Sequence, residues 1–272
     1  MEKIEERLGP QILFDFSEIL RAIEFVRESG FSVLEINLNN PYFLSQIKDK
    51  KTREKIRKEK ESGMKILFHS LEGLSFFLPE ANLVNASFSF LKEILDYLWE
   101  IEAERLTIHL GNDFTFGITG KKVLTYEVFP DFYQERMEEV IKNLSEMSKG
   151  KTILCIENVG GFRYPFVMAI IERYLGNNLG LTLDIGHINR LPKDKQIVEK
   201  EFFLRNRQHI KNCHIHDNSG EWDEHNIVGE GKIDIPYYLK MVNGTDSYLI
   251  AEVRPKESAL ESLRRLKLML GR

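Results

Sequence analysis

Six of the seven histidines in this 272-residue chain stand at the end of a short apolar run or in the loop just after one, and several carboxylates stand with them. One run closes Ile66-Leu-Phe-His69 and another Leu106-Thr-Ile-His109. A third ends Leu154-Cys-Ile-Glu157, with Asn158 next, and a fourth Leu181-Thr-Leu-Asp184, with His187 three residues on. The last two carry His214-Ile-His216-Asp217 and Leu249-Ile-Ala-Glu252, the latter followed by Arg254. Imidazole beside carboxylate is the donor set for a transition-type divalent ion such as Zn, Mn or Fe, and imidazole argues against Mg or Ca alone. The bland alternative is a set of internal ion pairs and satisfied core histidines. That reading suits any one position better than it suits all six run ends together, because unpaired charge gathered at one place costs several kcal/mol.

Such residues need a frame that brings distant positions to one place. Strand-like runs occur at Ser32–Leu38, Lys65–His69, Arg105–His109, Thr152–Glu157, Gly180–Asp184, Ile210–Ile215 and Tyr248–Val253. Each has the length of a parallel strand buried on both faces. An eighth falls at Gln11–Phe14 or Lys3–Leu8. Between them, Ser17–Glu28, Leu83–Glu104, Asp131–Met147 and Glu257–Leu270 repeat apolar residues at the helical period. Strand alternating with helix predicts an α/β fold with a parallel sheet, and eight units in this length predict a (β/α)8 TIM barrel forming a single domain over 1–272. No Gly-rich phosphate fingerprint follows the first strand, against a dinucleotide-binding fold. In a barrel the chemistry sits at the C-terminal strand ends, where these residues fall. Alternation also predicts that Cys155, Thr107 and Thr182 share the interior with Glu157, His109 and Asp184, while Leu106, Ile108, Leu154, Ile156, Leu181 and Leu183 face the helices.

Lys plus Arg number 38 against 42 Asp plus Glu, so the net charge is −4 and a dominant basic surface for nucleic acid is not visible. No apolar run reaches a membrane span. The acidic, mixed start is not a signal peptide, and two cysteines, Cys155 and Cys213, are too few for a disulfide scaffold. Both are read as reduced and the chain as cytoplasmic.

From about Phe31 onward the chain resembles the xylose-isomerase-like TIM-barrel superfamily, which includes sugar isomerases and epimerases and the endonuclease IV type of apurinic endonuclease. The most specific string is His214-Ile-His-Asp-Asn-Ser-Gly, then Asp223-Glu-His225, then Gly229-Glu-Gly-Lys-Ile-Asp234, supported by Asp184-x-x-His187 and Ile250-Ala-Glu252. The epimerase branch implies one metal held by Glu157, Asp184, His214 and Glu252, with the two glutamates also acting as acid and base. The endonuclease branch implies a larger cluster of two or three ions, adding His69, His109, His187, Asp223 and His225. Two departures set this chain apart from the endonuclease: Ser70-Leu-Glu72-Gly73 replaces a DNA wedge with an acidic residue, and the string His216-Asp217-Asn218-Ser219 is closer to the isomerase-like members.

The first reading is therefore a divalent-metal-dependent sugar or sugar phosphate isomerase or epimerase. Glu157 or Glu252 removes a proton α to a carbonyl through a metal-stabilised enediolate, and the other returns it. Such a base works best with its pKa moved up toward neutrality, as a dry barrel mouth would do. The second is an endonuclease IV-like metal-dependent phosphodiesterase acting on abasic DNA. A third, a metal- or sugar-binding barrel without catalysis, is disfavoured by the intact glutamate pair. The cofactor is one to three divalent ions, Zn or Mn first. The partner is a carbohydrate, with DNA only under the second reading, no membrane, and a homo-oligomer compatible with either. His216, Asn158 and Arg254 are the substrate-binding candidates, and Arg254, Lys121 or Lys122 could hold a sugar phosphate. The stretch Gly111–Pro130, with Phe114, Phe116, Tyr126 and Phe129, reads as a long aromatic loop over the mouth.

Overall fold

Short, apolar, β-branched runs become strands because both of their faces are covered. In the computed structural model, which describes residues 4–176 and 178–271, the strands are β1 (Leu8–Ile12), β2 (Val33–Asn37), β3 (Lys65–His69), β4 (Arg105–Ile108), β5 (Thr115–Ile118), β6 (Lys121–Leu124), β7 (Ile153–Glu157), β8 (Leu179–Asp184), β9 (Ile210–Ile215) and β10 (Tyr248–Ala251). All except β5 and β6 close into one parallel barrel in the order β1-β2-β3-β4-β7-β8-β9-β10, with β10 returning to β1. The TIM barrel predicted from the alternation is therefore the fold.

The surrounding helices are α1 (Ile19–Glu28), α2 (Pro41–Lys48), α3 (Lys50–Glu61), α4 (Ala81–Ile101), a single turn α5 (Thr125–Val128), α6 (Pro130–Ser148), α7 (Pro165–Tyr174), the short α8 (Ile185–Asn189), α9 (Lys193–Arg205), α10 (Ile235–Val242) and α11 (Lys256–Leu270). Their starts carry local signals. The Asn40 side chain accepts the Tyr42 and Phe43 amides ahead of α2, whose first residue is Pro41. Asp49 does the same for Thr52 at the head of α3. None of these helices is long and apolar enough to cross a membrane.

The period-two reading of the strands holds. Leu106, Ile108, Leu154, Ile156, Leu181 and Leu183 lie in the core between strands and helices. Inside the barrel the Thr107 and Thr182 hydroxyls meet at 2.8 Å. A separate apolar cluster of Val33, Leu67, Tyr248 and Ile250 shares the interior with polar side chains, Leu67 lying opposite Glu35 and Tyr248 opposite Asn212 in the strand register. Burying each such side chain contributes roughly 1.5–3 kcal/mol, which offsets part of the cost of the polar groups among them.

Two expectations change. The first strand, Leu8–Ile12, falls between the two placements considered, and of these Lys3–Leu8 begins outside the described residues. Within it Gly9 crosses β2 so closely that a Cβ would come within 2.0 Å of the Val33 carbonyl oxygen. The segment Gly111–Pro130 is not an irregular loop. It holds the antiparallel hairpin β5–β6 and α5, turned at Thr119-Gly120, where both residues have positive φ. Its base is fixed by the buried Asp113, which accepts the Phe114 and Tyr126 amides. Tyr126 packs on Tyr164 with ring centroids 4.1 Å apart, whereas Phe114, Phe116 and Phe129 are exposed.

Candidate metal centre

The barrel gathers the strand-end residues as their positions require. His69 ends β3, Glu157 ends β7, Asp184 ends β8 and His214 lies on β9, while His109 and Glu252 directly follow β4 and β10. At the centre is the Glu157 carboxylate, almost wholly buried. Its Oε2 lies 3.2 Å from His69 Nε2, 3.1 Å from His109 Nε2 and 3.6 Å from His214 Nδ1. Its Oε1 lies 3.3 Å from His187 Nδ1. His214 Nδ1 is also 2.9 Å from Glu252 Oε2 and 3.9 Å from Asp184 Oδ2.

The loop after β9 supplies the outer part. Asp223 Oδ2 is 3.1 Å from His187 Nε2 and 3.4 Å from His225 Nε2, and Asp223 Oδ1 is 3.7 Å from His216 Nε2. His216 stacks on His225 with centroids 4.0 Å apart. The loop is shaped by Asp217, whose Oδ1 accepts the Asn218 and Ile233 amides and whose Oδ2 accepts that of Gly229. Gly231 passes so close that a Cβ would lie 2.2 Å from Asp217 Oδ1. His225 takes positive φ at 49°, an uncommon conformation for a residue with a side chain.

Among the described residues, three groups of donors emerge in which all ligand atoms lie within 4.8 Å of one another: His69, His109 and Glu157; Glu157, Asp184 and His214; and His216, Asp223 and His225. Backbone carbonyls fix two of the imidazoles. His69 Nδ1 faces the Ser70 carbonyl at 2.8 Å and His225 Nδ1 that of Glu252 at 2.7 Å. A carbonyl only accepts, so both Nδ1 atoms carry the proton and both Nε2 atoms turn toward a carboxylate.

The electrostatics follow. Burial pushes the His69 imidazole down, but the Glu157 carboxylate beside it overrides this and raises it to about 9. Burial likewise opposes, and Asp184 and Asp223 reverse, the shift of His187, which reaches about 10. His225 rises to about 9 against burial, next to Asp223 and Glu252. His214 is raised well above its ordinary value by Glu35, Glu252 and Glu157 despite complete burial. Burial pushes the carboxylates up, yet Glu157 is held well below its usual range by His109 and His214, and Glu252 by His214, His225 and Arg254. Asp184 and Asp223 are lowered by their histidines in the same way, against burial.

The donors fit a divalent ion better than they fit one another. Asp184 Oδ2, His187 Nδ1, His214 Nδ1, His216 Nε2 and Asp223 Oδ1 are buried with no hydrogen-bond partner among the described residues. Such atoms are costly unless a cation satisfies them. The donor groups take in seven of the nine residues expected from sequence together with the buried His216, while His187 and Glu252 stand beside them, next to Glu157 and His214.

The other predicted residues are placed as follows. Asn158 is wholly buried; its amide donates to the Asp184 carbonyl and to Glu199 and accepts the Asp184 amide. Arg254 is partly exposed, with Nη2 3.0 Å from Glu252 Oε1. Lys121 and Lys122 lie exposed on β6. Sequence reasoning missed Gln11, Glu35 and Asn37. Glu35 Oε1 is 2.9 Å from His214 Nε2 and accepts from Gln11 Nε2 at 2.8 Å, and Gln11 Oε1 accepts from Asn37 Nδ2 at 3.1 Å. The available signal was parity: Glu35 and Asn37 occupy the interior positions of a strand whose other residues are apolar.

Two proteins of Methanocaldococcus jannaschii, both described as uncharacterized, are similar in sequence. MJ1614 is 28% identical over 177 residues, 62% of this chain and 62% of that protein, less than two thirds of its length. MJ1311 is 24% identical over 274 residues, 94% of this chain and 86% of that one. Among solved structures, a D-tagatose 3-epimerase-like protein superposes with a TM-score of 0.74 at 20% identity, covering 97% of each chain. The zinc-bound IolI protein gives 0.67 at 16% identity over 96% of this chain and 95% of its own. Endonuclease IV from Thermus thermophilus gives 0.66 at 18% identity over 97% and 99%. At these identities the structures share the fold. A family profile described as xylose isomerase-like TIM barrel matches residues 23–269, and the chain belongs to that family.

Proposed function

We propose that this chain is a multinuclear divalent-metal phosphodiesterase acting on a phosphodiester next to a sugar, abasic DNA being the first substrate to try. The observation that carries this reading is Glu157: its one carboxylate serves two of the three donor groups, with a third group beyond His187. A mononuclear isomerase has no use for His69, His109, Asp223 and His225 as ligands.

The carboxylate electrostatics point the same way. An enolising base needs its pKa raised toward neutrality, whereas Glu157 and Glu252 are held low by their histidines. That suits ligands better than proton shuttles. When bound, divalent ions in such a site neutralise phosphate charge and lower the pKa of water. The chain's own part is to hold the donors and orient the substrate. Arg254 beside Glu252 and Arg190, 3.8 Å from Asp223, flank the donors with partly exposed guanidiniums suited to phosphate oxygens. The exposed Glu72 after β3 opposes a duplex wedged open there, so an unstacked or abasic sugar is the better fit.

One observation favours the sugar epimerase reading: Glu157 and Glu252 converge on the same His214 nitrogen, as a two-base proton transfer across a sugar would need. Zinc-reconstituted protein decides between them. Two or three ions per chain and nicking of an abasic-site oligonucleotide are expected. A single ion, no cleavage of that oligonucleotide or of bis-(p-nitrophenyl) phosphate, and deuterium uptake from solvent into a ketose would overturn the phosphodiesterase in favour of the epimerase.

A further inference from the structure

From the donors His214 and Glu252 a closed circuit of five polar side chains, drawn from opposite ends of the sequence, runs into the interior. His214 Nε2 meets Glu35 Oε1 at 2.9 Å. Glu35 Oε1 accepts from Gln11 Nε2 at 2.8 Å. Gln11 Oε1 accepts from Arg254 Nη2. Arg254 Nη2 lies 3.0 Å from Glu252 Oε1, and Glu252 Oε2 returns to His214 Nδ1 at 2.9 Å. His214 thus has a carboxylate at each ring nitrogen, but the two carboxylates are differently placed. Glu252 stands in the mouth with the other donors. Glu35 lies below them, wholly buried: Gln11 Nε2 donates to its Oε1, Asn212 Nδ2 donates to its Oε2 at 2.5 Å, and His214 Nε2 faces Oε1.

We propose that Glu35 is a positioning residue for the metal centre: it holds the Nε2–H of His214, so that Nδ1 presents its lone pair to an ion shared with Glu157, Asp184 and Glu252. This rests on the metal-centre reading above. The relative strength of the acceptors favours this direction. Asn212 Nδ2 also lies 3.2 Å from His214 Nε2, a contact that bonds only when Nε2 is unprotonated. A carboxylate is the stronger acceptor, so Nε2–H goes to Glu35 and the Asn212 amide goes to the other carboxylate oxygen. A carboxylate behind a ligating imidazole fixes its tautomer and ring plane and raises its basicity. The Gln11 amide is fixed in turn, because Oε1 takes two donors, Asn37 and Arg254, and Nε2 must then face Glu35.

The test uses the full chain with zinc alone as probe. In 1H–15N spectra of zinc-loaded wild type, the His214 ring is expected to be protonated at Nε2 and unprotonated at Nδ1; the reverse pattern overturns the proposal without any variant being made. Glu35→Gln is expected to weaken the central zinc about 10–100-fold in competition with a chelator, leaving the ion at His69 and His109 in place. Thr107→Val is the control for a general disturbance of the same layer, since Thr107 bonds Thr182 and Asn212 but not His214. Equal loss of affinity in both variants, or wild-type affinity in Glu35→Gln, overturns the role of Glu35. Failure of wild type to bind zinc at all sinks the metal centre itself, a result distinguishable from either.

Discussion

The Nδ1–H of His225 donates to the backbone carbonyl of Glu252 at 2.7 Å, so the donor loop after β9 is tied directly to the donor strand β10. One imidazole thereby links the third donor group to Glu252, whose carboxylate faces His214 of the second. His225→Ala removes both the tether and a ligand. We expect it to lower the zinc content by one ion per chain, with the ions at Glu157 retained, as elemental analysis after gel filtration would report. Loss of every ion would mean that the groups do not fill independently.

Glu157→Gln is expected to do more. The carboxylate faces His69, His109, His187 and His214, and removing its charge leaves buried imidazoles uncompensated. Breaking a buried pair from one side costs about 3–5 kcal/mol. Metal-free Glu157→Gln should unfold in urea with a loss of that order, and the reconstituted variant should hold at least two fewer ions. A variant as stable as wild type, with its ions intact, would remove Glu157 from the centre of the site.

The pH dependence has a defined sign. In the metal-free protein His69 and His225 titrate at about 9 and His187 at about 10, above the ordinary 6.5. A raised imidazole contributes its full stabilisation below the unfolded value and loses it as pH rises through the folded one. Metal-free stability should therefore fall between about pH 6.5 and 10. The depressed Glu157 and Glu252 act in the opposite sense, contributing above the unfolded carboxylate value of about 4.3 and failing as the medium becomes more acid. Zinc takes neutral imidazoles, so the rise in melting temperature on adding zinc should be larger at pH 9 than at pH 6.5. A zinc increment constant across that range would contradict the assignment of these histidines as ligands.

What could be read in the sequence follows from which constraints are local. Strand-end residues such as His69, Glu157 and Asp184 were legible because a parallel barrel has one chemical end and period-two alternation says which residues face it. His109 followed from the same rule, whereas His225, 116 positions further on, was found only through the loop that follows His214 and the family resemblance. For Glu35, parity could give the interior position but not the role, which depends on β2 meeting β9 across the interior, a distance that no local spacing encodes. The β5–β6 hairpin was missed for a different reason. Its strands are exposed and unpaired with the barrel, so they lack the buried apolar pattern by which the others were found. The first strand was blurred because Gly9 and Pro10, at its middle, are read as turn residues in isolation.

Gly231 offers the sharpest separation of loop from barrel. A Cβ there would lie 2.2 Å from Asp217 Oδ1 and 2.6 Å from the Asn218 backbone, and Asp217 is the side chain that gathers the amides of Asn218, Gly229 and Ile233. Gly231→Ala must push the loop off this anchor, at a cost of about 1–3 kcal/mol. The loop carries Asp223 and His225 but no barrel strand, so the barrel should keep its circular dichroism and the ions at Glu157. The ion at Asp223 and His225 should be lost, and phosphodiester cleavage with it. Cleavage retained in a protein that has lost that ion would show that two ions suffice and confine the chemistry to the groups around Glu157.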